Sequence, residues 1–434
     1  MKIRSLNNAT ILLKSEKCSL LIDPWLVGNL YGGAWSPYAT CHDLDFLKTV
    51  THVFISHIHE DHWDRETLDL LDRKVQIFLP ELPINNVLKR YIAELGFLNV
   101  KLVKPYVKIK LADIILTIVP PLNAFGQDLG AYVEDYETDA TNIDTSLFVE
   151  DQKSNTSHLF LCDNTPYDIR SLEKLKIKNL DTLWYPFNSY AQDYPVCYKL
   201  TDERKKDIHD SMHNKRKATV EKCVKALKPK LYFPHSADFV LNGPNAKAFE
   251  AYISEKYIDR KLVADTYSIQ NNTLSKSEYV NFGDEIIFYS HKDFQIKRNL
   301  FSYDLLSSKP SLNKYQSLPI ENEVEVLEEA FSQMLKRCDK FKIDLSPSKD
   351  WLLKLVIEHN EYIFSYQSRR LLSSKELNGT NKILTTVLSK KQFAALMSRE
   401  LHWNNAQIGF HLQFERTPNE YCKEIYKSLN FLHM

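Results

Sequence analysis

Short apolar runs recur along the first third of the chain: ATILL, SLLID, THVFIS, VQIFLP, VKLV and DIILTIVP. Each is rich in Val, Ile, Leu or Phe and is bounded by turn residues, the pattern of buried strands. Between some of them the period changes. DRETLDLLDR begins on a cap-forming residue, Asp64, and INNVLKRYIAELG carries apolar residues at helical spacing up to Gly96. Both predict helices. The alternation continues from 145 to 290, where TSLFVE, SHLFLCD, DTLWYPF and KLYFPH read as strands and the run from Thr201 to Leu227 as a long helix. Strands mixed with surface helices predict a layered α/β architecture.

Past residue 290 the pattern shifts. LSSKPSLNKYQSLPIENE, residues 306–323, is rich in Ser, Pro and Asn and predicts a linker or long loop. EVEVLEEAFSQMLKRCDKF then has helix periodicity, followed by DWLLKLVIEHNEYIFSYQ and SKKQFAALMSRELHW. The expected division is a catalytic domain over 1–290, a linker over 291–322 and a smaller α+β domain over 323–434. In HWNNAQIGFHLQFERTPNEY, residues 402–421, the alternation of Ile408, Phe410, Leu412 and Phe414 predicts a strand. Its other face, His411, Gln413 and Glu415, is polar and suits an interdomain contact.

A chain of 434 residues exceeds one ordinary core, in keeping with more than one domain. Hydrophobic residues at 44% and charged residues at 26% are globular values, which excludes a disordered chain. Fifty-six basic and fifty-six acidic side chains cancel, removing any global electrostatic case for nucleic acid or an anionic membrane. The seven cysteines are scattered and contain no Cys-x-x-Cys pair, so reduced, mostly buried thiols are expected. No apolar segment approaches a signal-peptide core or a membrane span. A cytoplasmic protein with no membrane partner is expected.

The chemistry concentrates behind THVFIS. His57, His59, Asp61 and His62 follow the end of that strand at Ser56, four ligand-type residues within six positions. Three imidazoles and a carboxylate from one strand-loop-helix junction suit a borderline metal such as zinc or iron. A His pair beside acids is more often a solvated turn, but the density of donors after a buried-type strand favours the metal.

This His-x-His-x-Asp-His run resembles the signature of the metallo-β-lactamase superfamily, and LKSEKCSLLIDPWL resembles that superfamily's second strand pair and Asp-Pro turn, with Asp23, Pro24 and Trp25 in place. More narrowly, LLIDPWLVGNLYGGAW, ISHIHEDHWD, DTSLFVED and NSYAQDYPVCY resemble the metallo-β-lactamase-like part of the cytidine-monophosphate N-acetylneuraminate hydroxylases. The resemblance covers roughly residues 1 to 290. It implies an αββα sandwich with one or two divalent metal ions at one edge, zinc first, with iron or manganese as alternatives. His57 and His59 would serve one ion, Asp61 and His62 the other, and Asp61 would also orient the attacking hydroxide. Asp163, after the strand HLFLC, would bridge the ions, and His235 in LYFPHSADF would be the last ligand.

One expected histidine is absent. Residues 63–157 contain none, and the replacement is Asp144 in TNIDTSLFVE, ahead of Asp139 and Asp128. An aspartate there shifts preference from zinc toward iron or manganese. Asn8 in LNNATILL is a second departure, standing where lactonase-like members often carry a histidine.

Three further groups carry candidate chemistry. His209 and His213, with Lys205, Lys206, Lys215, Arg216 and Lys217, are expected on a solvated helix face, a phosphate-bearing substrate being the rarer use. Asn188, Tyr190 and Tyr194 are candidates to line a substrate, since aromatic faces and amides suit a sugar or base ring. YGGAW, residues 31–35, is either a lid over the metal edge or a turn.

The expected activity is metal-dependent hydrolysis of an ester, phosphodiester or amide by a metal-bound hydroxide. The alternative implied by the narrower resemblance is an iron-dependent hydroxylase of a nucleotide-activated or amino sugar. No Cys-x-His pair exists for a Rieske cluster, so a separate redox partner would supply its electrons. A non-catalytic metal-binding scaffold is the third reading.

Overall fold

A computed structural model of the chain describes residues 1–82, 85–120, 143–164, 169–187, 193–236, 239–242, 259–269, 274–300, 303–305, 320–373, 376 and 382–434. Two mixed sheets form its larger part. The first has eight strands in the order Phe294–Lys297, Glu285–Phe288, Lys2–Asn7, Thr10–Lys14, Ser19–Ile22, His52–Phe54, Gln76–Pro80 and Val100–Val103. Its last four strands run parallel. The second has seven: Lys276–Ser277, Leu231–His235, Thr182–Pro186, Thr156–Phe160, Ser146–Asp151, Ile114–Val119 and Lys108–Leu111. Here the first four are parallel.

Alternation along each strand explains the layering. Ile11, Leu13, Leu20, Ile22, Phe54 and Phe78 point into one core shared with Leu116, Leu147, Phe160, Trp184 and Phe233 of the second sheet. Their neighbours Leu12, Leu21, Val53 and Ile77 point the other way, onto Leu68, Leu88 and Ile92 of the helices that cover the first sheet. Leu159, Leu183 and Tyr232 do the same beneath Ile208, Met212, Val220 and Val224 of the long helix Asp202–Leu227. Strands buried on both faces must be apolar at every position, which is why they read as continuous runs. The product is the αββα sandwich of the metallo-β-lactamase fold.

Helix boundaries follow their caps. Asp64 accepts from the backbone of Glu66 and Thr67 to start Arg65–Asp69, and Thr201 caps Asp202–Leu227. Gly96, at φ 91°, ends the turn after Asn85–Glu94.

After residue 320 the helix Glu323–Lys340 packs on a five-stranded sheet built from Arg370–Leu372, Asn360–Ser365, Trp351–Ile357, Lys382–Leu388 and Gln413–Thr417. Phe331 of the helix stacks on Phe364 at 4.1 Å. This apolar contact is continuous with the outer layer of the second sheet, through Tyr198 stacked on Phe414 at 5.3 Å. None of the described helices is long and apolar enough to cross a membrane. All seven cysteines are free, and six of them are buried.

Two sequence expectations are corrected. The stretch 402–421 is not one strand: His402 caps a helix, Trp403–Ile408, by accepting from the Asn404 N–H, and the strand Gln413–Thr417 begins only after Gly409 and a left-handed Phe410. A local cap outweighed the apolar alternation there. Nor is the helix face bearing His209 and His213 solvated. His209, His213, Lys205 and Arg216 are 4%, 6%, 8% and 5% exposed, because the buried flank of this helix is wider than its apolar stripe. Lys206 is exposed, and Lys215 and Lys217 are partly exposed.

Candidate metal centre

Parallel strands place their carboxyl ends at one edge of the sandwich, and α/β folds gather their ligands at such edges. Ser19–Ile22 delivers Asp23 there, His52–Phe54 delivers Ser56 to His62, Thr156–Phe160 delivers Asp163, and Leu231–His235 ends on His235. Asp144 arrives from the opposite direction, just before Ser146–Asp151. The two sheets are tied at this edge by Thr145 Oγ1, which donates to the Ser56 carbonyl at 2.8 Å.

Two groups of donor atoms form: His57, His62 and Asp163 in one, His57, His59 and Asp144 in the other, the atoms of each lying within 4.8 Å of one another. His57 belongs to both. Its Nε2 lies 2.8 Å from His59 Nδ1 and 3.7 Å from Asp144 Oδ1. His62 Nε2 lies 3.3 Å from Asp163 Oδ2 and 3.4 Å from Asp61 Oδ2. His62 is therefore grouped with Asp163, while His59 is grouped with Asp144. His235 is fully buried, edge-on to Trp184 at 5.9 Å, and stands outside both groups. Ser236, the residue after it, donates to Asp163 Oδ1 at 3.2 Å.

Neighbouring side chains orient these donors. Asp23 accepts from the Ser56 backbone N–H at 2.7 Å and from its hydroxyl at 2.8 Å, and it also meets His62 Nδ1 at 2.9 Å. That arrangement leaves Nε2 of His62 for the cluster. Asp61 is held on both oxygens: Tyr31 donates its hydroxyl to Oδ1, and Asn8 donates to Oδ2 at 2.9 Å. Asn8 thus serves the site by orienting a carboxylate. It stands in the left-handed region at φ 43°, its carbonyl accepting from the Ser236 N–H at 3.2 Å.

The charge pattern is that of a cage suited to a cation. Burial, reinforced by His62 and His59, keeps His57 neutral and well below its usual range. Burial likewise drives His235 down to about 3. Burial works against a charged His62 too, yet the carboxylates of Asp61, Asp163 and Asp23 overturn it and raise the imidazole well above normal. Burial and the neighbouring Asp163 raise Asp144 to about 7. His62 Nε2, Asp144 Oδ1 and both ring nitrogens of His235 are buried without a hydrogen-bond partner. Orphaned buried donors beside mutually repelling acids fit a metal ion, which would satisfy both at once.

Tyr194 is packed edge-on against Tyr198 at 5.0 Å, with Arg416 over its ring at 5.1 Å, in the seam against the C-terminal sheet. Asn188, Tyr190, Asp128 and Asp139 lie outside the described residues. YGGAW is a buried turn, Tyr31–Gly33, whose ends are joined by Leu30 and Trp35. The role of Tyr31 was legible only indirectly, through two adjacent glycines that mark an unusual backbone.

No family model matches the chain. Over 102 residues, 23% of this chain and 19% of the relative, it is 34% identical to a protein of Mycolicibacterium smegmatis described as a Rieske 2Fe-2S iron-sulfur protein. Over 286 residues, 63% of this chain and 42% of the relative, it is 25% identical to the cytidine monophosphate-N-acetylneuraminic acid hydroxylase of Danio rerio. The chain thus matches less than half the length of these curated relatives. Among solved structures it is similar to CmlA, a diiron beta-hydroxylase from Streptomyces venezuelae, at 18% identity and a TM-score of 0.42, covering 63% of this chain and 52% of that one. An isothiocyanate hydrolase from Delia radicum gut bacteria is similar at 14% identity and a TM-score of 0.40, covering 66% and 99%. By its layered sheets and the His-x-His-x-Asp-His run at their edge, the chain has the metallo-β-lactamase fold, and its sequence is similar to that of a cytidine monophosphate-N-acetylneuraminic acid hydroxylase.

Proposed function

We propose that this chain is a two-metal enzyme that takes iron and hydroxylates a small molecule, such as an amino sugar or a nucleotide-activated sugar. The observation that carries the reading is Asp144, brought within 3.7 Å of His57 Nε2 at the position where a histidine would be expected. With Asp61 and Asp163 it makes a carboxylate-rich donor set, and added oxygen ligands favour iron or manganese over zinc. The 25% identity to a sugar-nucleotide hydroxylase supports the same direction.

Iron, when bound, supplies the oxygen chemistry. The chain supplies the cage: His57, His59 and Asp144 on one side, His62 and Asp163 on the other, with His235 and Asp61 at its margins. Burial of His57 and His235 keeps both imidazoles neutral, the form that ligates a metal. Electrons would come from a redox group outside this sequence, which carries no Cys-x-His pair. Hydrolysis with zinc is the second reading, favoured by the three clustered imidazoles His57, His59 and His62.

Elemental analysis of protein made in iron-supplemented cells, with oxygen uptake measured before and after adding a reductant, tests the choice. Two irons per chain and reductant-dependent oxygen consumption are expected. Zinc alone, with turnover of a generic ester or phosphodiester and no need for reductant, would replace this reading with hydrolysis.

A further inference from the structure

Two side chains of the C-terminal part reach the turn that carries Tyr31. Asn405 Nδ2 donates to Glu60 Oε1 at 2.5 Å, and Glu60 Oε2 accepts the Tyr31 backbone N–H at 2.8 Å. From the other side, His411 Nε2 donates to the Tyr31 carbonyl at 2.6 Å. Tyr31 is therefore held at both ends of its backbone while its hydroxyl is committed to Asp61. Tyr31 and His411 are 1% and 3% exposed, so these bonds lie in a medium where each counts for more than at the surface.

The backbone shows why holding is needed. Tyr31 has φ 51°, and Gly32 and Gly33 follow at 68° and 91°. A left-handed tyrosine is costly and persists only where its surroundings over-determine it. The approach of His411 has its own requirement: a Cβ on Gly409 would stand 2.7 Å from His411 Cδ2 and 2.9 Å from Nε2. Glycine at 409 leaves room for the imidazole to reach Tyr31.

We infer that Asn405 and His411 are positioning residues for the metal centre, which act through Glu60 and Tyr31 to set the direction of the Asp61 carboxylate. The C-terminal part is on this view a working component of the site in the sandwich. Tyr31 on Oδ1 and Asn8 on Oδ2 restrict how Asp61 can turn toward a cation, and the grip on Tyr31 fixes one of those restraints. The inference rests on the metal-centre reading above and not on the choice between hydroxylation and hydrolysis.

Cobalt(II) titration of the full chain, followed by visible ligand-field bands and by calorimetry, tests it in the wild type, Asn405→Ala, His411→Ala and Tyr31→Phe. Circular dichroism checks that each is folded, and Asn405→Ser and His411→Gln serve as milder variants should an alanine fail to fold. The expected result is cobalt binding weakened about tenfold, within the range for lost partners of metal ligands, with shifted bands in all three variants. Combining Tyr31→Phe with either C-terminal substitution is expected to add little, because both act along one route. Wild-type affinity and bands in folded Asn405 and His411 variants, or effects that add in full to Tyr31→Phe, would overturn the inference while leaving the metal centre intact. A wild-type chain that binds no cobalt would remove both.

Discussion

The Asp23 carboxylate lies 2.9 Å from His62 Nδ1, and that contact decides which nitrogen of the imidazole enters the donor cluster. Asp23 is itself fully buried and held by two bonds from Ser56, so it has little freedom to move. Asp23→Asn retains the shape but places an amide donor or a weaker acceptor against Nδ1. The imidazole then loses its reason to carry the proton on Nδ1, and a proton on Nε2 blocks ligation. The expected outcome is a folded protein whose zinc or cobalt affinity falls about 10–100-fold, measured by calorimetric titration. Wild-type affinity in Asp23→Asn would show that His62 needs no such orientation.

His57 is shared by both donor groups, whereas His59 and Asp144 belong only to one. Substitutions should therefore differ in stoichiometry as well as affinity. His57→Ala is expected to bind no metal tightly, and His59→Ala to retain one ion through His62 and Asp163. Elemental analysis of the two proteins after equal exposure to metal reads this directly. Equal metal content in both would mean that the two groups do not act as separate sites.

Much of this centre is visible in the sequence because one strand-loop-helix junction carries His57, His59, Asp61 and His62 together. Asp163 is also legible, at the end of an apolar strand, whereas His235, read in the same way, stands outside both donor groups, and the fold follows from apolar runs that must be buried on both faces. What sequence order hides is contact between distant segments. Asn8 looks like a missing ligand in the sequence, yet its amide lies 2.9 Å from Asp61 Oδ2. Asn405 is 345 positions from Glu60, and no local pattern announces that bond. The helix Trp403–Ile408 is obscured for a different reason: its last residue, Ile408, opens the alternation with Phe410, Leu412 and Phe414, and the His402 cap that starts the helix lies outside that pattern.

Asp144 is the one donor whose replacement tests metal preference instead of metal binding. Burial and Asp163 raise its carboxyl to about 7, so in the metal-free site it is a weakly ionised acid that a cation would convert to a ligand. Asp144→His supplies the nitrogen donor that zinc prefers. Competition between zinc and iron(II) for the two proteins is expected to move toward zinc by about tenfold, one ligand's worth of preference at roughly 1.4 kcal/mol. An unchanged ratio would place Asp144 outside the set of residues that choose the metal.

Metal removal should destabilise the whole sandwich edge, because the carboxylates gathered there oppose one another when no ion separates them. Burial and Asp163 raise Asp144, while the charged His62 holds Asp61 and Asp163 below the usual carboxylate range. Those residues come from both sheets, so their repulsion acts across the core and not along one loop. An ion that binds the folded chain and not the unfolded one adds about 2.7 kcal/mol when present at 100 times its Kd. Melting of chelator-treated protein should therefore begin at a lower temperature and rise steadily with added metal. His57→Ala should melt at one temperature whether metal is present or not, since it lacks the donor common to both groups. Calorimetric scans of the two proteins across a metal series provide the comparison. A wild-type Tm indifferent to metal would mean that the cluster holds its charges by protonation alone.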